Sequence, residues 1–186
     1  MIFVLCGPGG VGKGTVASML CRRNEWLELS RSWTTRKRRE GESGDAYVFV
    51  DQAHFKAAVE ADGFLEWAWF LENLYGTPFP GDEYGGCQKH ILLEIDVQGA
   101  AQVRERVPGA VVVVLEPPSE DELRRRLQGR GDDHAHVEAR MRLSMAEIKA
   151  AHSLGALGVV NDDLDQTVTE VGELFRAAVL KRCGSI

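Results

Sequence analysis

Met1-Ile-Phe-Val-Leu-Cys6 runs directly into Gly7-Pro-Gly-Gly-Val-Gly12-Lys13-Gly14-Thr15, and a helix-forming stretch, Val16 to Arg22, follows. A short apolar run ended by glycine reads as a strand buried on both faces. Glycines at the G-x-x-x-x-G-K spacing let backbone N–H groups turn inward at a helix start, where the helix dipole favours an anion and the lysine reaches β- and γ-phosphates. Strand, loop and helix all agree with that reading. A glycine-rich turn carrying a surface lysine is the weaker alternative. The strict pattern wants Ser or Thr where this chain has Gly14, which leaves Thr15, or water, to supply the oxygen expected on a metal ion.

Three further apolar runs, Ile91–Ile95, Val111–Leu115 and Leu157–Val160, alternate with helix-period segments. Val97 to Val107 forms one helix, and Ser119-Glu-Asp-Glu122 is a capping box opening another through Leu123 and Leu127. Val137, Met141, Met145, Ile148 and His152 mark one face of a longer helix; Leu164, Val168, Val171, Phe175 and Val179 mark the last. Buried strands alternating with helices predict an α/β fold, a parallel sheet core with helices on both faces. Residues 31–80 break the rhythm: an Arg-rich loop, a strand at Tyr47–Val50, a helix from Asp51 to Gly63, then a strand from Phe64 to Phe70. This is a candidate small, strand-rich lobe. Gln128-Gly-Arg-Gly-Asp-Asp133, between two helices, is a candidate lid.

At 186 residues, 44% hydrophobic and 27% charged, the chain suits one domain with a sizeable core. Its 22 Lys and Arg against 28 Asp and Glu give a net charge of −6, which argues against a general nucleic-acid binder, so any anion site must be local. Cys6, Cys21, Cys87 and Cys183 are scattered without metal-ligand spacing and read as reduced cytosolic thiols. With no basic leader and no long apolar segment, the chain is expected to be cytoplasmic, neither exported nor membrane-bound.

Beyond the glycine loop, four blocks in order carry a resemblance to the guanylate kinases: Ser32-Trp-Thr-Thr-Arg36-Lys-Arg-Arg39-Glu-Gly-Glu, Phe64-Leu-Glu66-Trp67-Ala, Leu93-Glu-Ile-Asp96-Val-Gln-Gly99-Ala and Val160-Asn161-Asp-Asp-Leu-Asp165. The resemblance implies a P-loop NTPase-type core (1–30, 91–125 and 146–186), a nucleotide-binding lobe (31–90) and a lid (126–145) within a single domain. It also implies transfer of the γ-phosphoryl group of ATP to GMP or dGMP, with Mg²⁺. Gly7, Pro8, Gly9, Gly10, Val11, Gly12, Lys13, Gly14, Thr15 and Asn161 would then hold ATP, Asn161 near the adenine. Arg36 and Arg39, with Tyr47 and Tyr75, would anchor the GMP phosphate, since guanidinium forks bind phosphate oxygens bidentately. Taken alone, the two tyrosines read as packing aromatics.

Glu66 breaks an aromatic strand, and a carboxylate there can accept from guanine N1–H and its 2-amino group together, a pairing adenine cannot offer. By resemblance Glu66 reads guanine, assisted by the hydroxyls of Ser32 and Thr77; the plain alternative is a solvent-facing strand glutamate. Asp96 closes an apolar strand, where open α/β sheets place ligand groups. It is a candidate metal ligand, directly or through water, a candidate acceptor contact shared with Glu94, and equally a helix N-cap. Arg126, Arg130 and Arg140 are the lid charges that would neutralise the transferring phosphoryl, together with Lys13. A kinase of a phosphorylated sugar such as ribose bisphosphate, or a non-catalytic interaction module of the same family, are the rival readings. Glu66 argues against the first and Lys13 against the second. Three departures from the family pattern stand out besides Gly14. A single tyrosine precedes Gly76, Trp33 sits beside the Arg loop, and two prolines and three glycines in residues 78–90 make a helix there unfavourable.

Overall fold

The computed structural model describes residues 1–39, 41–44, 46–70, 72–80, 89–129 and 134–183, with the side chains of 70, 134–136 and 183 left aside. In chain order the elements are β1 (Ile2–Cys6), α1 (Lys13–Arg23), β2 (Leu27–Leu29), β3 (Trp33–Thr34), β4 (Val48–Phe49), α2 (Gln52–Glu60), β5 (Phe64–Phe70) and β6 (Asn73–Pro78). They continue with β7 (His90–Glu94), α3 (Val97–Arg106), β8 (Val111–Glu116), α4 (Glu120–Gln128), α5 (His134–Ser153), β9 (Leu157–Val160) and α6 (Leu164–Cys183).

A five-stranded sheet in the order β2-β7-β1-β8-β9 forms the core, and every pairing in it is parallel. Alternate residues of the central strands feed two separate cores, as the strand period of two requires. Phe3, Leu5, Leu92, Val113 and Leu115 pack against Val16, Leu20, Val168, Val171 and Phe175 of α1 and α6. Val4, Cys6, Ile91, Leu93, Val112 and Val114 face Val97, Ala100, Val103 and Ala151 of α3 and α5. The sheet is thus covered on both sides, as its continuous apolar runs predict.

Two expectations need correction. β9 is an edge strand rather than a buried one: Leu157 and Val160 are 45% and 51% exposed and only Val159 is buried, because among the described residues no strand pairs beyond it. The buried face of α5 is Val137, Met141, Ser144, Ile148 and Ala151, while Met145 is 54% exposed. Two successive four-residue steps, Val137 to Met141 to Met145, overshoot a helix that turns every 3.6 residues.

The small lobe is a four-stranded sheet, β4-β3-β6-β5, with β3–β4 parallel and β3–β6 and β5–β6 antiparallel. Its core is Phe55, Phe64 and Leu74, with Trp33 edge-on to Phe64. β2, β3 and β6 carry too few apolar residues in alternation to be recognised from pattern alone. Of the Pro- and Gly-rich segment 78–90, residues 81–88 lie outside the described set. Among the described residues, no helix is long and apolar enough to cross a membrane.

Candidate active site

The glycine loop leaves the carboxyl end of β1 at the centre of the sheet. Gly7 adopts φ 136°, and a Cβ there would stand 2.5 Å from the Leu115 carbonyl oxygen of β8, so the loop can cross its neighbouring strand only as glycine. Gly12 at φ 102° starts α1, and no side chain caps that helix or places an acid in its first turn. By contrast Asp51, Asp96 and Ser119 cap α2, α3 and α4. A helix start left bare, aimed at a cleft and followed by lysine, is suited to an anion.

Lys13 Nζ donates to the carbonyls of Gly7 at 2.7 Å and Pro8 at 3.2 Å. Burial holds its ammonium below the usual lysine range, against the opposing pull of Glu94 and Glu147. Val11, fully buried, pins the loop into the core. Its carbonyl accepts from Asn161 Nδ2 at 2.8 Å and from Arg126 at 3.3 Å, while Arg126 also donates to the Asn161 carbonyl at 3.0 Å. Asn161 and Arg126 therefore brace the loop from behind. Glu122 turns its side chain to Arg125 and Arg126, so only the Ser119 arm of the expected capping box forms.

In front of the loop a cleft of about 500 Å³ is lined by Gly7, Gly9 and Lys13, by Ser32, Tyr47, Glu66, Ala68, Tyr75 and Gly76 of the small lobe, by Glu94, Ile95 and Asp96, and by Ala139, Arg140, Leu143 and Glu147 of α5. Arg140 lies over Gly9, where a Cβ would meet its guanidinium at 2.6 Å. Glu66 is buried. Thr77 donates to Glu66 Oε1 at 2.5 Å and, its one hydrogen so used, accepts from Ser32 Oγ at 3.1 Å. Burial, with Asp96 acting in the same direction, pushes the Glu66 carboxyl up to about 7. A carboxyl buried at the wall of a cleft is suited to accept from a ligand.

Arg36 is held in a two-pronged pair by Glu42, at 2.6 and 3.0 Å, and lies over the rings of Tyr47 and Phe49. Glu42 also accepts from the Arg39 backbone N–H at 2.9 Å, and the Arg36 guanidinium holds its carboxyl down near about 2. Tyr47 meets Tyr75 edge-on at 6.1 Å. Asp96 accepts from Gly99 N–H at 2.7 Å while lining the cleft, so capping and site readings coexist.

The cleft thus gathers Gly7, Gly9, Lys13, Ser32, Tyr47, Glu66, Tyr75, Glu94, Asp96 and Arg140. Thr15 and Arg39 are exposed outside it, Thr77 acts through Glu66, and Arg126 and Asn161 act behind the loop. Arg130 lies outside the described residues. Sequence reasoning passed over Glu42 and Glu147. Glu42 stands in the quoted Arg-block itself, and Glu147 sits seven residues beyond Arg140, on the same helix face.

The sequence matches the guanylate kinase family model over residues 1–178. The chain belongs to the guanylate kinase family. It is 42% identical over 187 residues to a guanylate kinase of Syntrophomonas wolfei, covering 98% of this chain and 93% of that protein. A Thermus thermophilus guanylate kinase is 45% identical over 172 residues, 91% of this chain and 77% of that protein. Among solved structures, the guanylate kinase of Anaplasma phagocytophilum superposes with a TM-score of 0.75 at 31% identity, over 95% of this chain and 85% of that one. The family's fold and the parallel core described above agree.

Proposed function

We propose that this protein transfers the γ-phosphoryl group of ATP to GMP or dGMP, giving ADP and GDP or dGDP, and that it works in the cytoplasm. The observation that carries the reading is one cleft joining a Lys13-bearing phosphate loop to a buried glutamate, Glu66, poised by the Ser32–Thr77 hydroxyl pair. A guanine offers Glu66 two donors on one edge, N1–H and the 2-amino group. Arg36, pre-formed by Glu42 and the aromatic platform, meets the acceptor phosphate with Tyr47, Tyr75 and the nearby Arg39. Lys13 and the loop N–H groups hold the donor phosphates.

In the transfer, an anionic oxygen of the acceptor phosphate forms a bond to the γ-phosphorus, and the β–γ bridging oxygen leaves with the bonding pair on ADP. No protein base is required, since the nucleophile is already ionised. Catalysis rests on alignment and on neutralising the charge spread over the transferring group. Lys13 and Arg140 line the cleft where that charge develops, and Arg126 supports them by bracing the loop. Glu94 and Asp96 place carboxylates at the carboxyl end of β7, a donor set that fits Mg²⁺, which takes one or two carboxylates besides phosphates and water. Mg²⁺ would screen charge on the donor phosphates.

An ADP-release assay with GMP, IMP, AMP, CMP and UMP tests the reading. A preference for GMP of at least about 10²-fold over AMP is expected where a buried acceptor reads two donors. Equal rates with all acceptors would sink the assignment.

A further inference from the structure

Helix α3 presents three residues to the outer strand of the small lobe, Gly99, Gln102 and Arg106, at spacings that share one helical face. Each makes a specific contact. A Cβ on Gly99 would stand 2.8 Å from Glu66 Oε2, 3.2 Å from its Cδ and 3.4 Å from its Cγ. Gln102 closes a two-bond clamp on the residue next to Glu66: Trp67 N–H donates to Gln102 Oε1 at 3.1 Å, and Gln102 Nε2 donates to the Trp67 carbonyl at 3.0 Å. Arg106 pairs with Asp62 at 2.8 Å, in the turn that leads into the same strand.

Gly99 is not required by backbone geometry, because it is absent from the glycines with positive φ. Glycine inside a helix is otherwise unfavourable, so the space it leaves is what its position explains. That space is filled by the Glu66 carboxyl. The same residue's N–H fixes Asp96, so the carboxyls of Glu66 and Asp96 are both set from the first turn of α3. The Gln102 amide meanwhile takes the place of a neighbouring strand along β5, which is the sheet's outer strand, and so fixes the backbone from which Glu66 projects.

We infer that Gly99 and Gln102 are positioning residues for base specificity, Gly99 by admitting the Glu66 carboxyl to its place at the cleft wall and Gln102 by locking the strand that carries it. The inference rests on Glu66 being the base-reading group. A methyl group at position 99 drives the carboxyl off the line on which it accepts from N1–H and the 2-amino group together. GMP then loses the advantage that IMP, which lacks the 2-amino group, never had.

The experiment compares kcat/KM for GMP and IMP, KM for ATP and thermal midpoint in Gly99→Ala, Gln102→Ala, Glu66→Asp and the Gly99→Ala/Glu66→Asp pair. Gly99→Ala should lower kcat/KM for GMP at least about tenfold, lower the GMP-to-IMP ratio by a similar factor, and leave KM for ATP within about twofold. Gln102→Ala should shift the same ratio about threefold or more. In the Glu66→Asp background, whose shorter side chain withdraws from the crowded methyl, Gly99→Ala should cost at most about a third of its single-variant factor. A GMP-to-IMP ratio unchanged in both single variants, parallel losses for GMP and IMP, or full additivity in the pair each overturns the inference. Should Gly99→Ala fail to fold, the Gln102→Ala ratio decides by itself. A wild-type protein without preference for GMP over IMP or AMP would instead remove the base-reading role of Glu66 and the inference with it.

Discussion

Replacing Glu66 with Gln should stabilise the fold while removing its base preference, and the structure gives the size and pH dependence of the effect. Burial, reinforced by Asp96 and opposed by the Thr77 hydrogen bond, raises the carboxyl from 4.5 to about 7. At 1.36 kcal/mol per pH unit the full step corresponds to about 3 kcal/mol. A raised carboxyl keeps its proton in the folded state where the unfolded chain has released it, so this group's contribution to stability falls as pH rises from 4.5 through about 7. The penalty is about 1.5 kcal/mol at pH 5.5 and about 3 kcal/mol at pH 8. Gln carries no charge to desolvate, and its Oε1 can still accept from Thr77. The stability gap in favour of Glu66→Gln should therefore widen by about 2 kcal/mol between those pH values, or about 4–8 °C in thermal midpoint for a chain of this size. Circular-dichroism melts of both proteins across that range, alongside GMP and IMP kinetics, read it out. A gap that stays constant or narrows with rising pH would refute the reasoning, whatever the kinetics show.

Lys13→Met should leave the thermal midpoint at or above wild type, because the ammonium it removes is held below its normal range by burial, and should cut kcat by about 10²–10³-fold; near-normal turnover in the ADP-release assay would refute the role of Lys13. Glu42→Gln leaves Arg36 with one prong of its pair and should raise KM for GMP about 3–10-fold with KM for ATP unchanged, as initial rates at varied GMP would show. Gly7→Ala drives a Cβ to 2.5 Å from the Leu115 carbonyl and should destabilise by about 2–4 kcal/mol in urea titrations. A wild-type midpoint would mean that the loop crosses β8 with room to spare.

Much of the core was legible because its signals are local. Phe3, Val4, Leu5 and Cys6 read as a doubly buried strand from four consecutive apolar side chains, and all four are fully buried. Asp51 and Ser119 cap the helices whose starts they mark. The strands missed were those with too little apolar alternation to mark them. β6 contains Asn73, Tyr75, Gly76 and Pro78 and becomes a strand only by lying between β3 and β5. β9 has the same apolar look as β8 yet is half exposed, since an outermost position belongs to the sheet and not to the run of residues.

The sequence by itself determined the glycine loop, the parallel core and the residue types available to the cleft, because spacing, alternation and capping act over a few residues. Only the tertiary structure decided which charges meet. It turned Arg126 to brace the Val11 carbonyl, brought Glu147 and Glu94 to bear on Lys13 from α5 and β7, and set Glu66 against Thr77 and the bare backbone of Gly99. Electrostatics and close packing depend on distance in space, and a folded chain sets those distances by its topology rather than by separation along the sequence.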